Sequence, residues 1–432
     1  MFSAVRPLRY RNFALIWAAA LLSNIGSWMQ TVAVGILVTA RTGRPGWTGL
    51  VAAAGFLPIG LLSPVGGVLA DRLDRRLWLF LTTVGETLFA VALTVLAATG
   101  RAGPVTVTLL VFGGGAMSAI GFPAYQAMLP DLVPASELGA AISLSSAQFN
   151  LGRVVGPALA GLAIVAGGYG WAFAVNAASF VAVLVALRLV RLPAPEVRPA
   201  APSLRQRLAD GFTATAGSTG ARFAVVLISV VALTASPFIA LVPAVALEVF
   251  GSKATGTSVL ITAQGIGAVL GALAITPLVD RFGRRAVLVA DLVGVCVCLT
   301  AYAWAPDLAV AAAALLLVGA TYIGVLAGCN TVVQLYAPPE LRGRMLGIYM
   351  MALGILYPVG ATLQGTLANG GGLRLVTSAG AGVLLVAVAV MRMAGLFPPV
   401  LEGRPGDVAA SGDQLGPEPP VSDAIGAVVT EG

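Results

Sequence analysis

Gly67-Val68-Leu69-Ala70-Asp71-Arg72-Leu73-Asp74-Arg75-Arg76 recurs 209 positions later as Thr276-Pro277-Leu278-Val279-Asp280-Arg281-Phe282-Gly283-Arg284-Arg285. Each copy is a short charged hairpin between two long apolar runs. A charged turn repeated in this setting describes two homologous membrane halves whose hairpins lie at the same face of the bilayer. The second copy lacks the leading glycine, which predicts looser packing there.

Composition agrees with a membrane chain. Of 432 residues, 58% are hydrophobic and only 10% charged, against about 25% charged in soluble domains. The mean hydropathy is +0.94. The formal net charge of +7 does not indicate nucleic acid, because the arginines, Arg153 apart, sit in or beside loops, where they report orientation. Histidine is absent, which excludes histidine proton relays, histidine metal sites and histidine-dependent catalytic triads. Cys296, Cys298 and Cys329 lie in apolar runs without metal-ligand spacing, so neither a disulfide framework nor a metal site is expected. The first apolar run is too long for a cleaved leader and reads as a membrane helix.

A helix needs about 20 apolar residues to cross the hydrocarbon core. Twelve candidates run near 13–38, 47–70, 77–99, 104–129, 139–167, 170–192, 221–248, 256–279, 286–305, 307–335, 343–368 and 373–397. The expected class is an all-α membrane protein of twelve transmembrane helices in two pseudo-symmetric six-helix halves. The halves are 1–192 and 221–397, with a cytoplasmic linker at 193–220 and a disordered cytoplasmic tail at 398–432. Placing both termini in the cytoplasm puts Arg72, Arg75, Arg76, Arg281, Arg284, Arg285, Arg342 and Arg344 inside. Only Arg41, Arg44, Arg101, Lys253 and Arg374 then lie outside, as the positive-inside rule requires. Within the linker, Leu204, Leu208 and Phe212 interleave with Arg205 and Arg207. That pattern suits either a short amphipathic surface helix or a plain connection.

A second correspondence supports the repeat. Pro134-Ala135-Ser136-Glu137-Leu138 resembles Pro338-Pro339-Glu340-Leu341, and a register of 204 places Asn330 on Gln126 and Gln334 on Pro130. Parallel repeats of this kind place a substrate between the halves, near the midplane.

With these motifs the chain resembles the major facilitator superfamily, whose commonest motif is the Gly-x-x-x-Asp-Arg-x-x-Arg-Arg hairpin. Gly152-x-x-x-Gly156-Pro157-x-x-Ala160-Gly161 resembles its antiporter motif. Tyr10-Arg11-Asn12-Phe13, Ser23-Asn24-Ile25-Gly26-Ser27-Trp28-Met29-Gln30 and Phe149-Asn150-Leu151-Gly152-Arg153 are similar to one subgroup. That subgroup holds the enterobactin-exporter-like and macrolide-efflux-like proteins, also called transmembrane secretion effectors. The resemblance spans roughly residues 6–395. It implies that Gly67, Asp71, Arg72, Arg75 and Arg76, with Asp280, Arg281, Arg284 and Arg285 as counterparts, form a conformational switch. In it Asp71 would bond Arg72, Arg75 or the N-terminus of a helix from the other half.

Gly152, Gly156 and Gly161 suit close helix packing and Pro157 a bend. This helix is expected to meet Gly267 and Gly271 of span eight. Arg153 lies about 14 residues from its helix end, roughly 21 Å deep, and should face a cavity or an acid. Glu86 and Asp291 are the clearest intramembrane carboxylates. With Arg153 they are the candidates for proton coupling, although a Glu86–Arg153 pair would make both structural. Asn24, Gln30, Gln126, Asn330, Gln334, Tyr349 and Tyr357 are the candidate cavity residues. Without a dense ring of charge, such a cavity suits a bulky, largely apolar compound.

The expected activity is export of a hydrophobic drug, siderophore or secondary metabolite across the bacterial cytoplasmic membrane in exchange for protons. The chain would work as a monomer among membrane lipids, without cofactor, metal or nucleic acid. One alternative is an uncoupled facilitator or lipid flippase of the same fold. A membrane-embedded enzyme is the remote one, since no nucleotide loop or nucleophile constellation is present.

Overall fold

The computed structural model describes residues 5–190, 204–252 and 254–398. Residues 191–203 (including the first part of the linker, 193–203), Lys253 and the tail from 399 lie outside the described residues.

Among the described residues, twelve helical segments are long and apolar enough to span a membrane. The helices are α1 (Arg11–Thr42), α2 (Pro45–Arg72), α3 (Arg75–Ala98), α4 (Pro104–Leu132), α5 (Leu138–Gly167), α6 (Tyr169–Leu189) and α7 (Leu204–Gly217). They continue as α8 (Thr219–Thr234), α9 (Phe238–Ala244), α10 (Ala254–Phe282), α11 (Arg284–Ala303), α12 (Leu308–Tyr336), α13 (Arg342–Gly371) and α14 (Leu373–Met393). Local chemistry sets the ends. Pro45 and Pro104 open α2 and α4, where a missing N–H costs nothing. Asp74 caps α3 by accepting from the Leu77 amide at 2.7 Å. Gly43 closes α1 at φ 57°, a left-handed backbone that glycine adopts without steric cost.

Two features refine the expectation. The linker does form a helix, α7. The seventh span is broken into α8, α9 and a π-helical turn at Val245–Val249, because Pro237 and Pro243 each lack a donor. Ser236 sits in the break, and its hydroxyl shares a 2.8 Å hydrogen bond with Tyr322.

Helices α1–α6 pack mainly on one another, and so do α8–α14. The two sets meet along two seams, α2 on α13 and α5 on α10, with α9 wedged against α1 and α2. Small residues permit the α2–α13 approach. A methyl at Gly60 would stand 2.7 Å from the Gly354 carbonyl carbon, and one at Gly365 would stand 2.7 Å from the Pro45 oxygen. At the same level, the Gly46 amide donates to Asn369 Oδ1 at 3.1 Å. This end of the bundle, opposite the charged hairpins, is therefore sealed.

Candidate functional site: two cavities meeting at Glu86

One cavity of about 230 Å³ lies toward the sealed end, and one of about 530 Å³ reaches toward the hairpin end. They share Ile59, Glu86, Ser118 and Phe180 in their walls. The first is walled by α1, α2, α3, α4 and α6 and covered from the second set by Ile239, Ala240, Pro243, Ile261 and Tyr357. The second is built wholly from α1–α6. Among the described residues, no arginine or lysine lines either cavity, and Glu86 is the sole carboxylate in both.

Helix spacing places Glu86 here. It stands one turn beyond Thr82 and Thr83, which face the larger cavity with it. Each threonine hydroxyl donates to a carbonyl three or four residues back, which leaves the carboxylate as the polar group projecting inward. Amides furnish the rest. Asn24 Nδ2 donates to Gln148 Oε1 at 2.9 Å, and Asn176 Nδ2 donates to Gln30 Oε1 at 2.9 Å. Asn150 donates to the Ser146 carbonyl one turn earlier at 2.9 Å.

Of the residues expected from the sequence, the cavity walls collect Glu86, Asn24, Gln30, Gln126 and Tyr357. They do not collect the others. Asn330 accepts from Gln334 Nε2 on its own helix. Tyr349 is fully buried and donates to the Leu326 carbonyl at 3.0 Å, a packing role. Asp291 lies against the backbone of Gly324, where any side chain would collide with its carboxylate, and it lines neither cavity. Gln148, Ser118 and Asn176 are polar members that the sequence reading omitted. Each sits in an apolar span, and surveying every intramembrane amide and hydroxyl would have found them.

Arg153 belongs to the seam rather than to an ion pair. Its Nη2 donates to Gln264 Oε1 of α10 at 3.2 Å, and its guanidinium stands 5.8 Å from the Trp28 ring. Among the described residues it has no carboxylate partner, so the Glu86–Arg153 pair does not form. A bond and a cation–π contact hold the charge within the bundle. The surrounding motif packs α5 on two helices. Gly152 and Gly156 admit Asn24, Ile25 and Trp28 of α1, while Gly161 admits Ser258 of α10; Pro157 is buried between them. The expected meeting with Gly267 and Gly271 is corrected. Those glycines pack on Leu316 and Ala320 of α12, and Gly265 is the one that meets Val154.

The hairpins differ in the same residue-by-residue way. Asp71 accepts from Arg207 of α7 at 2.9 Å, not from Arg72, Arg75 or a helix N-terminus of the second set. Arg75 binds Asp131, and Arg76 donates to the Leu187 and Arg188 carbonyls that end α6. Arg72 and Arg281 are exposed. Gly67 faces open space and its neighbour Gly66 makes the close contact, with Ile120. The threonine at 276 therefore forfeits no packing that Gly67 supplies.

Comparison with known proteins agrees with this architecture. The chain matches the transmembrane secretion effector family over residues 2–421. It is 28% identical to the multidrug efflux pump Tap of Mycolicibacterium fortuitum over 370 residues, covering 83% of this chain and 90% of that one. It is 27% identical to the enterobactin exporter EntS of Salmonella paratyphi A, covering 82% and 85%. A bacterial homolog of the human lysosomal transporter Spinster has the same fold, with a TM-score of 0.71 at 15% identity over 89% of this chain and 96% of that one. The chain therefore belongs to the transmembrane secretion effector family of the major facilitator superfamily.

Proposed function

We propose that this protein exports hydrophobic small molecules across the bacterial cytoplasmic membrane by alternating access, taking up protons in exchange. Family membership makes it a membrane transport protein and not an enzyme. The single observation that carries the finer reading is the position of Glu86, the one carboxylate shared by two cavities. The larger of these runs toward the hairpin end while the opposite end is sealed. With the hairpins cytoplasmic, as the arginine distribution supports, this is a state closed to the outside. Residues 1–192 and 221–397 act as the two rocking bodies, and linker 193–220 ties them. An acid between two chambers is placed to exchange its proton for cargo, and apolar walls with scattered amides suit a bulky, weakly polar compound. One proton crossing about 150 mV supplies roughly 3.5 kcal/mol, enough for a gradient of a few hundred-fold.

The test uses inverted vesicles carrying the full chain, with the lumen acidified and a panel of hydrophobic antibiotics and siderophores added outside. A compound-dependent proton leak that Glu86→Gln abolishes and Asp291→Asn largely keeps is the expected result. Compound uptake without a leak, unchanged in Glu86→Gln, would establish the uncoupled facilitator or flippase instead.

A further inference from the structure

The internal repeat makes Arg75 and Arg284 equivalent positions, yet their surroundings differ. Arg75 Nη1 donates to the Ala127 carbonyl at 2.8 Å and to Asp131 Oδ2 at 3.0 Å. The register that pairs Gln126 with Asn330 puts Thr331 at the place of Ala127 and Leu335 at the place of Asp131. The counter-acid has thus become a leucine, 40% exposed. Arg284 correspondingly has a buried Nη1 without any partner and no ion pair among the described residues. Beside it, α10, α11 and α12 enclose a cavity of about 230 Å³.

We propose that this cavity binds a phosphate group, held by the Arg284 guanidinium in place of the missing carboxylate. Guanidinium geometry matches phosphate oxygens as it matches carboxylate. Arg284 is also the first residue of α11, whose N-terminus has no side-chain cap, so the helix dipole favours an anion there. Asp280 lines the same cavity, and its negative charge discriminates among phosphates. Inorganic phosphate carries up to two charges near neutrality, whereas a phosphodiester carries one and brings headgroup donors that Asp280 can accept. The apolar wall of Val287, Leu288 and Val332 continues the match toward an acyl chain. The cavity opens at the hairpin end of three membrane-crossing helices, where lipid headgroups lie. A membrane phospholipid is the source that fits all of these.

Native mass spectrometry of the delipidated full chain tests this. Phosphatidylglycerol, diacylglycerol with the same chains, and inorganic phosphate are titrated separately. The expected result is one tight phosphatidylglycerol adduct, weakened at least about tenfold in Arg284→Gln, with no comparable diacylglycerol adduct. Leu335→Asp keeps the guanidinium but restores the carboxylate of the first half, and it should displace the lipid to a similar extent. It decides the matter should Arg284→Gln not fold. Binding of inorganic phosphate without a lipid adduct would keep the phosphate site and assign the free ion as its source. Equal binding of diacylglycerol, no phosphate-dependent binding, or full affinity in both variants overturns the proposal.

Discussion

Gly365→Ala isolates the closure of the sealed end. A methyl at this position would sit 2.7 Å from the Pro45 oxygen and 3.2 Å from Gly46 Cα, and ordinary contact begins at 3.4 Å. The seam must therefore widen by roughly 0.7 Å at a point where both opposing atoms are backbone and cannot rotate away. Forced overpacking of this kind costs about 1–3 kcal/mol. The cost falls only on the state in which α2 and α13 touch at this end, so it acts as a differential. By the relation of 1.4 kcal/mol per tenfold, it moves the closed-to-open ratio by about 5- to 150-fold. Glycine-to-alanine in a helix also gains up to about 1 kcal/mol of propensity, but it does so in both states and leaves the ratio alone. Gly67→Ala is the control, because a methyl there meets nothing within 4 Å. The assay is a spin-label distance between cysteines placed at Arg44 and Gly370, both exposed at this end, after removal of the three native cysteines. Gly365→Ala should lengthen or broaden the distance distribution and Gly67→Ala should not. An unchanged distribution in Gly365→Ala would refute the reasoning that this backbone contact limits closure.

Other perturbations follow from single contacts. Asn369→Ala removes the acceptor for the Gly46 amide and should open the same end by about 0.5–2 kcal/mol, the usual worth of a helix cap, read with the same labels. The linker helix ties Asp71 of α2 through Arg207 and Arg344 of α13 through Asp210. Because these side chains are about a third exposed, each pair contributes roughly 0.2–1 kcal/mol. Asp210→Arg should alter the transport rate by no more than a few-fold and raise proteolysis at α7, and the exchange Asp210→Arg with Arg344→Asp should restore both. Failure of the exchange to restore them would show that the pair has no part in holding α7.

Much of the fold was legible because membrane insertion is read from local composition. Twenty apolar residues must become a helix in lipid, whichever helices they later touch. The hairpin repeat was legible for the same reason, whereas the break in the seventh span, read as one continuous run over 221–248, appeared only in the structure, at Pro237 and Pro243. The depth of Glu86, Asp291 and Arg153 followed from counting residues. Their directions did not. A rotation of one residue turns a side chain by about 100° around a helix of 3.6 residues per turn, and only the neighbouring helices fix that rotation.

Sequence alone therefore determined the twelve spans, the duplicated plan and the face that carries the arginines, all consequences of transfer from water to lipid along a single segment. The tertiary structure decided which polar groups meet. It turned Glu86 into the cavities and Asp291 onto Gly324, set Arg153 against Gln264 and Trp28, and gave Asp71 to Arg207 of the linker helix. It also set Gly66 rather than Gly67 at the close approach to Ile120. These outcomes depend on the packing of helices far apart in the chain, where steric fit and paired charges select one rotation among several that composition permits equally.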